Sequence, residues 1–362
     1  MVSREASNFV VLVLAFVLAI IVGFFLVIGR GLLLPIFAAV ISVYVLTAAA
    51  DAMGRLPFFR HLPFFVRRIL VLIGFTMSFV ALGLVVAVTV NQLIGLVPTY
   101  RHNLETILGQ LADLVGFDEH PSWEQIREAT IGRLDVGSLL TSVLGSVTNF
   151  GTTIFLVVVY AIFLVAERGT FAGKLMAAFP QGDSAERTSH LITDINRRIG
   201  EYLAVKTLVN VILGVASYAI MLIMGLDFAL FWAVLIGLFN YIPYVGSLIA
   251  VFLPVGLSLA QFGSISTTLI LAALLIVPQV YVGNFLEPRM LSKQLNLSPF
   301  VVLVALALWS AIWGLPGAIL AIPMTSMIAI IFGAFPSTRF IAVLLSERVD
   351  EPTLSSPDPA NR

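Results

Sequence analysis

Phe228-Ala-Leu-Phe-Trp-Ala-Val-Leu-Ile-Gly-Leu-Phe-Asn240-Tyr-Ile-Pro243-Tyr-Val-Gly246-Ser-Leu-Ile-Ala250 opens a stretch that continues to Leu286 without one Asp, Glu, Lys or Arg. One crossing of the hydrocarbon core takes about 20 apolar residues, so this stretch holds two or three crossings or half-crossings. Unpaired backbone groups are costly in lipid. A Pro/Gly break at membrane depth is tolerated only where protein buries it or it lines a cavity. The break from Asn240 to Gly246 therefore sets irregular backbone beside an internal pathway or pocket.

The rest of the chain agrees. Hydrophobic residues make up 59% and charged residues 11%, against about 25% charged in a soluble domain; mean hydropathy is +1.05. The formal net charge is zero, so no global field points to nucleic acid. The absence of cysteine excludes disulfides, thiolate metal sites and cysteine nucleophiles. His61, His102, His120 and His190 show no metal-ligand spacing. Arg4 precedes an apolar run from Phe9 to Gly29 that is too long for a signal-peptide core, so it reads as a retained first span. The fold class is an all-α polytopic membrane protein. About eight transmembrane helices are expected, with Pro/Gly-broken or re-entrant segments in the C-terminal third.

Residues 1–100 hold transmembrane helices one to three, with a tight turn at Arg30-Gly31 and a third span ending near Pro98. Residues 101–147 form an acidic, amphipathic extracytoplasmic segment in which Leu104, Ile107, Leu108 and Leu111 recur at helical spacing. A fourth helix covers 148–166. Residues 167–206 form a cytoplasmic surface-helix region, with Leu191, Ile195, Ile199, Tyr202 and Leu203 as its apolar stripe. Residues 207–338 are a transport region of interrupted helices, and 339–362 a polar tail expected to be disordered. The basic loops lie on the side opposite the acidic one, which places the N-terminus in the cytoplasm.

Two segments of the last third look alike. The break at Pro243 and Gly246, followed by Pro254, is echoed by Gly314-Leu-Pro316-Gly317, followed by Pro323. Paired interrupted hydrophobic segments point to a transporter site built from repeats. Pro243, Gly246, Pro288, Pro316, Gly317 and Pro323 are the candidate hinges or helix breaks. Polar residues in hydrocarbon are expensive, so they mark substrate or ion pathways. On that ground Asn240, Pro243, Gly246, Gln279, Asn284, Glu287 and Arg289 are the candidate pathway. Asn284 and Glu287 are three apart, on one helical face, while Pro288 disfavours helical geometry at Glu287. A carboxylate beside a helix break, near an amide, suits proton or cation coupling or hydrogen bonding to a polar solute; an interfacial Glu287 paired with Arg289 or Lys293 is the plainer alternative. Trp309 and Trp313 read as a gate or as interface anchors. There is no HExxH, GxSxG or Walker A pattern, so no enzyme, no metal and no cofactor is expected.

These motifs resemble the autoinducer-2 exporter family of PerM-like permeases. The resemblance rests on Glu201-Tyr-Leu-Ala-Val-Lys206-Thr207, Gly225-Leu-Asp227, Leu238-Phe-Asn240-Tyr-Ile-Pro243-Tyr-Val-Gly246, Asn284-Phe-Leu-Glu287-Pro288-Arg289, Leu297-Ser-Pro299 and Trp313-Gly-Leu-Pro-Gly317. It implies a bacterial inner-membrane transporter of eight helices with both termini cytoplasmic, a mobile transport domain and ring-like homo-oligomers. It also implies export of autoinducer-2, or in some members Na⁺(Li⁺)/H⁺ exchange. Asn240, Pro243, Gly246, Asn284, Glu287, Pro288 and Gly317 are the motif positions. Ser247 and Ser310 depart from residues frequent in the family.

The leading reading is a secondary transporter of a small polar solute such as autoinducer-2, working by alternating access, driven by an ion gradient or running downhill. H⁺ or Na⁺, membrane lipid and further copies of the chain are its expected partners. A Na⁺(Li⁺)/H⁺ antiporter and a non-transporting membrane scaffold or assembly factor stand as alternatives.

Overall fold

The computed structural model describes residues 2–115, 151–167, 173–174, 183–291, 296–335 and 337–348. Among them no strand occurs. The helices are α1 (Val2–Ile28), α2 (Arg30–Arg55), α3 (Phe64–Val115), α4 (Gly151–Glu167), α5 (Asp183–Ile223), α6 (Ala229–Phe239), α7 (Val245–Phe262) and α8 (Ile265–Tyr281). A π-turn at Val282–Leu286 then leads to α9 (Glu287–Leu291), α10 (Pro299–Ala334) and α11 (Arg339–Leu345). Among the described residues six helices are long and apolar enough to cross a membrane, and shorter apolar helices occur at Phe16–Ile28, Gly151–Glu167 and Ala229–Phe239. The chain is a multi-pass membrane protein, as its composition requires.

Several boundaries differ from the sequence reading. The expected tight turn at Arg30-Gly31 is a kink at Gly29. Gly29 N–H donates to Phe25 O and Leu33 N–H to Gly29 O, so the helical ladder runs through and the chain bends without reversing. Pro98 does not end α3, which continues to Val115; a proline removes one hydrogen bond, and a helix this long survives that loss. The surface helix and the fifth span are one rod: α5 has 41 residues, about 62 Å at 1.5 Å per residue. The tail does not begin at 339 as irregular chain. α11 packs back on α10, with Ala342 Cβ against Gly333 and Ser298 N–H donating to Leu345 O; residues 349–362 lie outside those described, as do 116–150.

Two Pro/Gly segments make helical hairpins. In the first, α6 and α7 reverse across Asn240–Tyr244. Val245 N–H bonds to Pro243 O around Tyr244, whose φ is 61° and ψ −59°. This is the rare, strained γ-turn. In the second, Gly314 takes φ 65° and ψ −145° inside α10, a conformation open to glycine almost alone. The reversal there is proven by contact: Trp309 Nε1 donates to Thr325 Oγ1 at 3.0 Å, although an unbroken helix would hold them about 24 Å apart. At each tip a glycine lies on the carbonyl of the incoming limb. A Cβ on Gly246 would come within 1.8 Å of Phe239 O, and one on Gly317 within 2.0 Å of Trp309 O. The incoming limbs, α6 (11 residues, about 16 Å) and Pro299–Trp313 (about 22 Å), are too short for a core of about 30 Å. The expected broken or re-entrant character of the last third is therefore present twice.

Three buried clusters hold the fold. One joins α2 to the first half of α5 (Ile199, Tyr202, Leu203) and to the α10 hairpin, including Trp309 and Trp313. These tryptophans are core: their rings are 5.4 Å apart, Phe37 packs on Trp313, and Trp313 Nε1 donates to Leu26 O. A second joins the other half of α5 (Val209, Leu213, Met221) to α6, α7 and α8. A third joins α2 to α4. The α5 rod is the wall shared by the first two, and the change of cluster falls between Leu203 and Val209.

Candidate functional site

At that change the sequence of α5 carries Lys206, Thr207 and Asn210. Lys206 and Asn210, with Ser217, are buried polar residues along one face. The opposite wall comes from the tip of the α6–α7 hairpin and from the end of α8. Hydrocarbon and core both penalise polar groups without partners, and here nearly every one has a partner.

Lys206 Nζ donates to Glu287 Oε1 in an ion pair whose lysine and glutamate side chains are 4% and 23% exposed. The π-turn aims the carboxylate. It inserts a residue into the helical ladder, with Glu287 N–H bonded to Val282 O, and such bulges recur at functional sites. Glu287 itself is helical (φ −60°, ψ −50°). The irregularity expected at Glu287 because of Pro288 thus lies in the turn before it. Thr207 Oγ1 and Tyr241 OH are 2.6 Å apart, and buried Tyr202 borders both Glu287 and Tyr241.

Beside the pair runs a ladder of amides. Gln279 Nε2 donates to Asn240 Oδ1 at 3.3 Å, and Asn240 Nδ2 donates to Asn210 Oδ1 at 2.8 Å. The ladder has a direction, and both ends are open: Gln279 Oε1 and Asn210 Nδ2 are buried without a hydrogen-bond partner. Buried polar atoms are nearly always satisfied, so an orphan acceptor and an orphan donor on one ladder call for an explanation. Tyr241 borders Asn210 as well without closing that gap.

Of the residues singled out from sequence, Asn240, Gln279 and Glu287 meet here, and Pro243 and Gly246 shape the hairpin tip that delivers Asn240. Asn284 and Arg289 are exposed and do not join them. Pro288 follows the carboxylate in the first turn of α9. Pro316, Gly317 and Pro323 build the second hairpin, which packs against the α2 side of α5. Lys206, Thr207, Asn210 and Tyr202 are neighbours of these candidates that the sequence reading did not single out as site residues. Among the described residues no group of three or more His, Asp or Glu could hold a metal ion.

At the far end of α5, a clasp ties α3 to both hairpin limbs. Tyr100 OH donates to Asp227 Oδ2 at 2.8 Å, Asp227 N–H donates to Gln261 Oε1 at 2.7 Å, and Gln261 Nε2 donates to Gly225 O. Asn103 Nδ2 donates to the carbonyls of Ala260 and Gln261. Tyr100 lies past the apolar window Phe64–Leu93. Burial, then the hydrogen bond to Asp227, pushes its pKa above the ordinary tyrosine range. A groove of roughly 520 Å³ near the clasp, lined by Val88, Gln92, Tyr218 and Asp227 among others, shares no residue with the amide ladder.

Over residues 10–337 the chain matches the family described as AI-2E family transporter. The AI-2 transport protein TqsA of Escherichia coli (strain K12) is 32% identical over 263 residues, 71% of this chain and 74% of TqsA. YhhT of the same strain is 28% identical over 282 residues, 76% of this chain and 78% of YhhT. A Borreliella burgdorferi protein, whose description names transport and no cargo, is 36% identical over 193 residues. That match spans about half of the relative's length (53%).

Proposed function

This chain belongs to the AI-2E transporter family, and on that premise we propose that it is a permease for a small, uncharged, polar solute that binds at the amide ladder. It is a transporter and not an enzyme. The observation that carries the reading is the open-ended ladder. A solute with one hydroxyl and one carbonyl, or two hydroxyls, donates to Gln279 Oε1 and accepts from Asn210 Nδ2, satisfying both orphans at once. A polar site rejects analogues that lack those groups strongly, because its own buried atoms are then left unpaired. AI-2, the cargo in the name of TqsA, is the first candidate.

The mechanism is alternating access. The α6–α8 unit, with its own core, shifts against the α2, α4 and α10 unit along the α5 seam, where solute and Lys206–Glu287 sit. The protein works in the inner membrane, with both termini cytoplasmic and as a homo-oligomer; the basic loops support the orientation, and the family resemblance supports the assembly. The test is flux of AI-2 in sealed proteoliposomes. Gln279→Leu and Asn210→Leu should each lower it by tenfold or more at unchanged protein folding. Undiminished flux in both would remove the ladder from the pathway.

A further inference from the structure

Two solitary charges meet at the seam. Lys206 is the only charged residue between Glu201 and Asp227, and Glu287 is the only acidic one between Asp227 and Glu347. Arg289, two positions after the carboxylate, is exposed, and Glu287 bonds to Lys206 across the seam instead. The lysine side chain is 4% exposed and the glutamate side chain 23%.

The groups lined along the same seam are neutral. Tyr202 feels the Glu287 charge, Thr207 and Asn210 lie on α5 within about one turn of Lys206, and Tyr241, Asn240 and Gln279 bond to one another or to those two. Carboxylate, hydroxyl and amide oxygens are the ligand types that a hard cation takes. In this chain the cation position against the carboxylate is already filled, by Lys206 Nζ.

We propose that Lys206 is a tethered counter-cation, occupying the position that Na⁺ or Li⁺ would otherwise take beside Glu287, so that this permease carries its solute without a metal cation. The inference rests on the reading of the seam as the transport site and supplies its ion requirement. It speaks against the Na⁺(Li⁺)/H⁺ exchange that the sequence left open. A compensated carboxylate does not need an external ion, and an ion that enters must displace an ammonium that cannot diffuse away.

Removing the lysine charge should therefore create a Na⁺ site. Purified full-length wild type, Lys206→Gln, Lys206→Arg and Lys206→Gln/Glu287→Gln are melted in NaCl and in choline chloride at equal ionic strength, with ²²Na⁺ binding measured alongside. Wild type and Lys206→Arg should bind no ²²Na⁺ and show equal midpoints in both salts. Lys206→Gln should bind ²²Na⁺. Its midpoint should rise by about 3 °C in 100 mM NaCl if the site has a Kd of about 10 mM. The double variant should lose both effects. Specific Na⁺ binding by wild type, or a folded Lys206→Gln without any, would overturn the proposal. Should Lys206→Gln fold only in NaCl and not in choline, that yield difference is itself the expected response. Should it fold in neither, the wild-type measurement still decides, together with AI-2 flux that must be equal in Na⁺ and in choline. Flux is recorded in parallel: intact flux with no Na⁺ response removes the counter-cation alone, and a Na⁺ response without flux removes the cargo reading alone.

Discussion

Glu287 and Lys206 are each expensive in an apolar interior and tolerable together. Removing one partner of a buried pair costs about 3–5 kcal/mol, while replacing both with apolar residues of similar size is near neutral. Glu287→Gln should therefore lower thermal stability by about 3 kcal/mol, at the low end because the carboxylate is partly exposed. Lys206→Met/Glu287→Leu should recover most of that stability and still not transport. Thermal unfolding in detergent beside AI-2 flux checks both; a double variant as unstable as the single one would show that the two charges do not compensate each other. Asn240 and Glu287 were legible in the sequence because polar groups stand out in a run without charges. Lys206 was not, because it sat at the end of a segment read as surface helix. The available signal was the buried face shared by Lys206, Asn210 and Ser217, at spacings of four and seven. Asn284 misled for a geometric reason: the rule that residues three apart share a helical face fails across a π-turn, which widens the helix and rotates the residues beyond it.

The two hairpins depend on glycine for contact with a carbonyl, so their tips admit no side chain. Gly246→Ala and Gly317→Ala should each cost more than about 3 kcal/mol, beyond the usual range for overpacking, because the clash is with backbone. Gly256→Ala, with nothing within 4 Å of the new methyl, should leave stability unchanged or slightly raised. Thermal melts of the three variants make the comparison. The clasp predicts a pH effect. Tyr100 has its pKa raised by burial and by Asp227. Its contribution to stability is therefore complete below the unfolded tyrosine value of about 10, and it is lost as pH rises through the higher folded value. Between pH 9.5 and 11 the wild-type melting temperature should fall more steeply than that of Tyr100→Phe; parallel curves would count against the clasp. The hairpins were legible from Pro and Gly spacing. The kink at Gly29 was not, since a turn and a bend use the same residues, and the docking of α3 on α7 and of α11 on α10 rests on contacts between residues that sequence pattern does not pair.

At the scale of the molecule, α5 is a common wall between two cores, and under the proposed mechanism a shift of one core against the other would open and close the same small region. The natural chain has no cysteine, so spin labels can be placed on Phe163 of α4 and Leu269 of α8, both exposed, without removing any native thiol. Double electron–electron resonance in lipid should give a distance distribution that changes on adding AI-2; one narrow, unresponsive distance would argue against relative movement. The ion pair has a further consequence. A unit charge carried across the bilayer does electrical work of about 2.3 kcal/mol per 100 mV, close to a fifty-fold change in rate. Lys206 stands on the shared wall and Glu287 at the end of the shifting unit; as long as the two stay paired, they and the uncharged solute present no net charge, and voltage has little handle on the cycle. Flux into vesicles clamped by K⁺ and valinomycin at 0 and −100 mV should be equal. In Glu287→Gln the lysine charge is left uncompensated, and whatever conformational exchange survives there should become voltage-dependent. The wild-type protein would thus run at one rate in an energised cell and in a depolarised one, driven by the solute gradient alone.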